Sequence, residues 1–184
     1  MSFEEDLENK EVTQEQEIAL LESVIERCEE DYENFLEIDD LQKRYFAICS
    51  ASKAAFMLGK FEVARELADE TLVLSEEVPK CWNYGNCTYY ANWVLGMLAL
   101  EDNDVVLAKS YLIKAGNSKG SPQLNTFGPN MLLAKKLLRA GEKEAVLEFI
   151  DSIEKFWKSG DKWLPIWRKK IIAGEIPHCL MHLS

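Results

Sequence analysis

The 184-residue chain contains no run of roughly 18 apolar residues of the kind a membrane-crossing helix requires. Its amino-terminal stretch MSFEEDLENKEV is acidic where a secretory signal would be basic and then apolar. Both absences predict a cytoplasmic protein with no membrane partner. Histidine is nearly missing: His178 and His182, both close to the carboxyl end, are the whole supply. A cysteine nucleophile needs a neighbouring base and an electropositive setting, so cysteine-hydrolase chemistry is disfavoured. The two histidines could share one helical face around a metal, but neither an H-E-x-x-H pattern nor a C-x-x-C accompanies them. That segment reads as a loose tail, and no metal is expected. Glycine-rich phosphate loops are absent too, so no nucleotide or other cofactor is expected. No stretch shows the strict apolar alternation of a half-buried strand.

What is present is material for a core. Hydrophobic residues make up 47% and aromatics 10% of the chain, enough to offset the entropy of ordering the backbone. The five cysteines (Cys28, Cys49, Cys81, Cys87 and Cys179) are odd in number and sit within apolar helical patterns, which predicts reduced thiols.

Charge is unevenly placed. Residues 1–40 carry 16 acidic side chains against Lys10 and Arg27, a net of -14, while the remaining 144 residues carry a net of +3. A nucleic-acid partner is unexpected, because the one large field has the wrong sign for phosphate. A basic protein surface is its natural complement. The plainer alternative is a solvated helix face.

Hydrophobic periodicity predicts about eight helices in a single all-α domain. Thr13 and Gln16 form a capping box ahead of the seam Ile18, Leu21, Ile25, Cys28, Tyr32 and Phe35. Residues 1–12 before it read as a flexible acidic leader. Asp39 and Asp40 can cap a second helix that stops at Gly59, and a third runs from Phe61 to the Glu76–Pro79 stretch. A fourth covers about Trp82 to Leu100 and a fifth about Val105 to Ala115. Residues 116–128 form the one long loop, after which Pro129 opens a sixth helix ending at Gly141. The seventh spans about Glu142 to Trp157, and the eighth, with Pro165 near its start, reaches Gly174. Residues 158–184 would cap the stack and end in the tail.

Self-comparison finds three related two-helix segments within residues 44–157. Ala51, Ala55, Gly59, Phe61, Ala64 and Ala68 align with Leu95, Ala99, Asn103, Val105, Ala108 and Leu112, and Leu72 and Ala115 follow in their respective segments; a third segment carries Gly141 and Val146. This pattern resembles the tetratricopeptide repeat, with Gly59-Lys60-Phe61-Glu62-Val63-Ala64 the best match to the family's turn. Ala64 to Ala108 spans 44 residues and Ala108 to Val146 spans 38, both longer than the family's 34-residue period. The resemblance implies a short solenoid of antiparallel helix hairpins, with small residues where paired helices cross. Family membership would also imply a protein- or peptide-binding scaffold.

Two surfaces are candidate sites. The first helix presents Glu22, Glu26, Glu29, Glu30 and Glu33 to a basic partner. Catalytic carboxylates need environments that drive their pKa values apart, which a row along one exposed helix does not supply. The second surface combines Asn86, Tyr89, Tyr90 and Trp93 with Gln123, Asn125 and Asn130 from the long loop. Amides that both donate and accept, beside rigid aromatics, suit recognition. Equally, those amides can brace the loop's backbone. The expected function is therefore a non-catalytic interaction module, most concretely an acidic inhibitor such as a stand-alone immunity protein that masks a basic toxin. The alternative is an enzyme or small-ligand sensor whose pocket uses Asn86, Tyr90, Gln123, Asn125 and Asn130.

Overall fold

Five of the helices begin where a capping side chain, Ser2, Thr13, Asp40, Asp104 or Ser121, accepts a free backbone amide. The computed structural model describes residues 2–10 and 12–183. Ser2 and Glu5 close a capping box on α1 (Phe3–Asn9), and Thr13 and Gln16 close the expected one on α2 (Gln14–Leu36). Asp40 Oδ1 accepts from the Lys43 amide at 2.8 Å and starts α3 (Leu41–Met57). Then follow α4 (Phe61–Glu77), α5 (Tyr84–Glu101) and α6 (Val105–Gly116). The chain continues through α7 (Pro122–Phe127), α8 (Leu132–Arg139), α9 (Lys143–Ile153) and α10 (Leu164–Ile172). Two short 3-10 turns, Lys158–Lys162 and Leu180–His182, flank α10, and no strand occurs among the described residues.

The all-α expectation holds, but the described residues form ten helices rather than about eight. One addition is α1, inside the stretch expected as a flexible leader; its box of Ser2 and Glu5 satisfies the first free amides. The other is α7, inside the expected loop, where Ser121 caps and Pro122 takes the first turn. Pro129 does not open α8. That helix starts at Leu132, whose amide donates to Asn130 Oδ1 at 2.9 Å.

Consecutive helices from α2 to α6 pack on one another, α3 also meets α5, and α9 joins α6, α8 and α10. Between α3 and α4, α5 and α6, and α8 and α9 the chain turns through one left-handed residue: Gly59 (φ 73°), Asn103 (φ 59°) and Gly141 (φ 87°). Ala64, Ala108 and Val146, five residues beyond each turn, are all 0% exposed. The α5 helix is apolar nearly all round and lies at the centre of the main core, which runs from Phe35 to Leu183. One end of α5 touches the loop so closely that a Cβ on Gly85 would lie 1.6 Å from the Gly120 carbonyl oxygen.

Candidate functional site

Of the expected α2 seam Cys28 and Phe35 are buried, Leu21, Ile25 and Tyr32 are half-buried and Ile18 is exposed, while Val24, outside the expected seam, is buried with them; the glutamates stay outside. Glu22, Glu26, Glu29, Glu30 and Glu33 are all exposed, and among the described residues none of them makes an ion pair. Glu17, one turn into the same helix, is different. It receives Lys135 Nζ and Arg139 Nη2, each at 3.0 Å. Burial pushes the Glu17 carboxyl up, but Lys135 and Arg139 more than offset this and leave it below its ordinary value. The acidic field is thus held to the body at one end, and further along the helix Arg27 and the neighbouring Lys53 offset it in part.

The Asn and Tyr face divides differently from the sequence expectation. Tyr89 and Trp93 are 0% exposed and belong to the core, so neither is presented at the surface in this structure. Tyr89 donates its hydroxyl to the Asn130 carbonyl at 2.8 Å, and Trp93 packs edge-on against Phe56. The reason is that α5 is buried nearly all round, so the face with Tyr89 and Trp93 is an interior face. Ser121 Oγ donates to Asn86 Oδ1 at 2.6 Å, while Asn86 Nδ2 donates to Asn83 Oδ1 at 3.0 Å. Asn125 Oδ1 accepts from the Lys158 amide at 2.9 Å. Asn86, Asn125 and Asn130 therefore serve as loop braces.

Asn86, Tyr90 and Gln123 still line one cavity of about 290 Å³, together with Phe46, Trp82 and Phe127. Tyr90 and Asn130 line a second, of about 420 Å³, with Trp163, Met181 and His182; Asn125 lines neither. Burial pushes Tyr90 up to about 12, so its hydroxyl stays protonated. All five cysteines carry free thiols. Among the described residues no group of three or more His, Cys, Asp or Glu is placed to hold a metal ion.

The carboxyl end is not a loose tail. Glu8, 2% exposed, reaches it from α1: Oε1 accepts from Trp167 Nε1 at 2.8 Å and the Cys179 amide at 2.9 Å, and Oε2 from the His178 amide at 2.8 Å. Lys170 Nζ donates to the Glu8 carbonyl. His182 packs among Trp157, Trp163 and Trp167. Burial holds its imidazole down at about 4, with the Phe127 carbonyl and Glu8 offsetting this only in part. Sequence reasoning missed Glu8 and placed His182 in a loose tail instead of among three indoles. The Ser2 and Glu5 box was a readable signal for α1, but nothing local points to the partners of Glu8.

No helix among the described residues is long and apolar enough to cross a membrane. No family model, curated protein or solved structure matches the chain.

Proposed function

We propose that the chain is a non-catalytic protein-interaction module, a short stack of hairpins of the tetratricopeptide kind whose outer α2 face receives a basic protein. The observation that carries this reading is the row of five exposed, unpaired glutamates on one helix, within a segment of net charge -14. A field of that kind raises encounter rates with a cation-rich surface by roughly 10- to 1000-fold. The left-handed turns at Gly59, Asn103 and Gly141, and the buried positions Ala64, Ala108 and Val146, support the hairpin reading. In its most concrete form the module is an inhibitor of the immunity-protein type that covers a basic toxin in the cytoplasm.

Affinity capture at low salt, run in parallel with wild type and with a chain carrying Lys at positions 22, 26, 29, 30 and 33, tests the proposal. The expected result is one basic protein retained in stoichiometric amount by wild type and lost by the variant. Equal retention by both chains would contradict it. A small-ligand sensor is the second reading, favoured by the shared lining of one cavity by Asn86, Tyr90 and Gln123. Thermal stabilisation by a metabolite, with no protein retained, would favour that reading instead.

A further inference from the structure

Trp157, Trp163 and Trp167 form one curved indole wall. Trp167 lies 5.6 Å from Trp157 and 5.9 Å from Trp163, tilted by 36° and 34°. His182 stands across this wall, its ring 4.9, 5.3 and 5.3 Å from the three indoles and steeply inclined to each, at 67°, 77° and 79°. In polar terms it is a poor occupant. The residue is 8% exposed, its buried ring nitrogens meet no side-chain hydrogen-bond partner among the described residues and only the Phe127 backbone acts on them, and Trp157 Nε1 is buried without a partner. Indole faces carry the negative part of a quadrupole and attract a cation in preference to a neutral ring. A carboxylate stands at the edge of the same wall, since Glu8 accepts the Trp167 indole N–H. Lys170 Nζ, 4.0 Å from Glu8 Oε2, balances that charge in part.

The segment carrying His182 is built like a strap. Its near end is fixed where Glu8 accepts the His178 and Cys179 amides. Cys179 then takes a left-handed conformation, φ 52°, which residues with a side chain seldom adopt. Past that turn the backbone is tied back by the Met131 amide, which donates to the His182 carbonyl at 2.6 Å. The cavity of about 420 Å³ lined by Trp163, Met181 and His182 lies directly beside it, and Met181 is 61% exposed.

We propose that the indole wall of Trp157, Trp163 and Trp167 is a binding site for a methylated ammonium group, closed in this structure by His182 as an in-chain stand-in. The ligand enters through the adjoining cavity as the strap swings about Cys179. Its cationic head replaces the imidazole against the indole faces, on the side of Glu8. The site is separate from the acidic face of α2 and independent of what binds there.

The test is a nuclear magnetic resonance titration of the full chain with tetramethylammonium chloride, referenced to sodium chloride at equal ionic strength. The three indole N–H signals and the His182 imidazole are followed, and 3,3-dimethylbutanol serves as the neutral compound of the same shape. Saturable movement of the indole signals is expected, with the His182 signals moving to those of a solvent-exposed histidine. The alcohol should bind about tenfold more weakly, and His182→Ala should bind the cation about tenfold more tightly. Choline and a trimethyllysine peptide, run alongside, assign the group to a free metabolite or to a protein side chain by whichever binds tighter. The proposal is overturned if neither wild type nor His182→Ala shows saturable change, or if the alcohol matches the cation. The wild-type titration decides by itself should the variant fail to fold.

Discussion

Trp167 Nε1 donates to Glu8 Oε1 at 2.8 Å, joining two residues 159 apart in the chain. The same carboxylate accepts the amides of His178 and Cys179, so one side chain ties α1, α10 and the carboxyl-terminal strap together. Removing it strands three donors. Glu8→Ala should therefore lower stability by about 3 to 5 kcal/mol, the range for breaking one partner of a buried charged network. Asp6→Ala, at an exposed position on the same helix, should stay within about 0.5 kcal/mol of wild type. Urea unfolding of both variants checks this, and equal midpoints would mean that α1 contributes no docking energy.

His182 predicts an acid-sensitive fold. Burial holds its pKa at about 4 instead of 6.5. Between those values the unfolded chain binds the proton and the folded chain does not, so stability falls as pH drops through the window. The contribution of the neutral ring is complete above about pH 6.5 and lost below about pH 4. At about 1.4 kcal/mol per unit the loss approaches about 3 kcal/mol. His178, also lowered by burial, acts in the same direction. Urea midpoints of wild type and His182→Phe at about pH 7.5 and about pH 4.5 should show a smaller drop in the variant. An identical drop would remove His182 from the account.

Close helix approach makes its own prediction. A methyl group on Gly85 would collide with the Gly120 backbone, which has no flexible end to move aside. Gly85→Ala and Ala64→Trp should each cost more than about 3 kcal/mol, since even modest overpacking costs about 1 to 3 kcal/mol. Differential scanning calorimetry of the two variants measures it. An unchanged melting temperature in Ala64→Trp would place the α3–α4 crossing elsewhere.

These contrasts show what a linear reading can reach. Thr13 with Gln16, Asp40, Gly59, Asn103 and Gly141 act within a few residues of themselves, and the helices they bound were legible. The six residues of α7 are too few to show a period. Glu8 looks like any other carboxylate in an acidic stretch, because its meaning lies in partners more than 150 residues away. Tyr89 and Trp93 misled for a different reason. Periodicity separates an inner from an outer face, and α5, buried nearly all round, has no outer face to separate. The amides Asn86, Asn125 and Asn130 were legible as a group, but their use as braces depends on where the loop folds back.

The glutamates of α2 form the face a basic partner would meet, and reversing them separates steering from stability. Lys at positions 22, 26, 29, 30 and 33 should leave the urea midpoint nearly unchanged, because exposed charges contribute at most about 1 kcal/mol. Any effect belongs to association, where attraction between surface charges is screened beyond about 8 Å at physiological ionic strength.

Stopped-flow association of wild type and this variant with the captured basic protein, at low and at moderate salt, is the most direct test. Slower association is expected for the variant, with a flatter dependence on salt. Equal rates with equal salt slopes would contradict it and leave the acidic face of α2 as solvated surface.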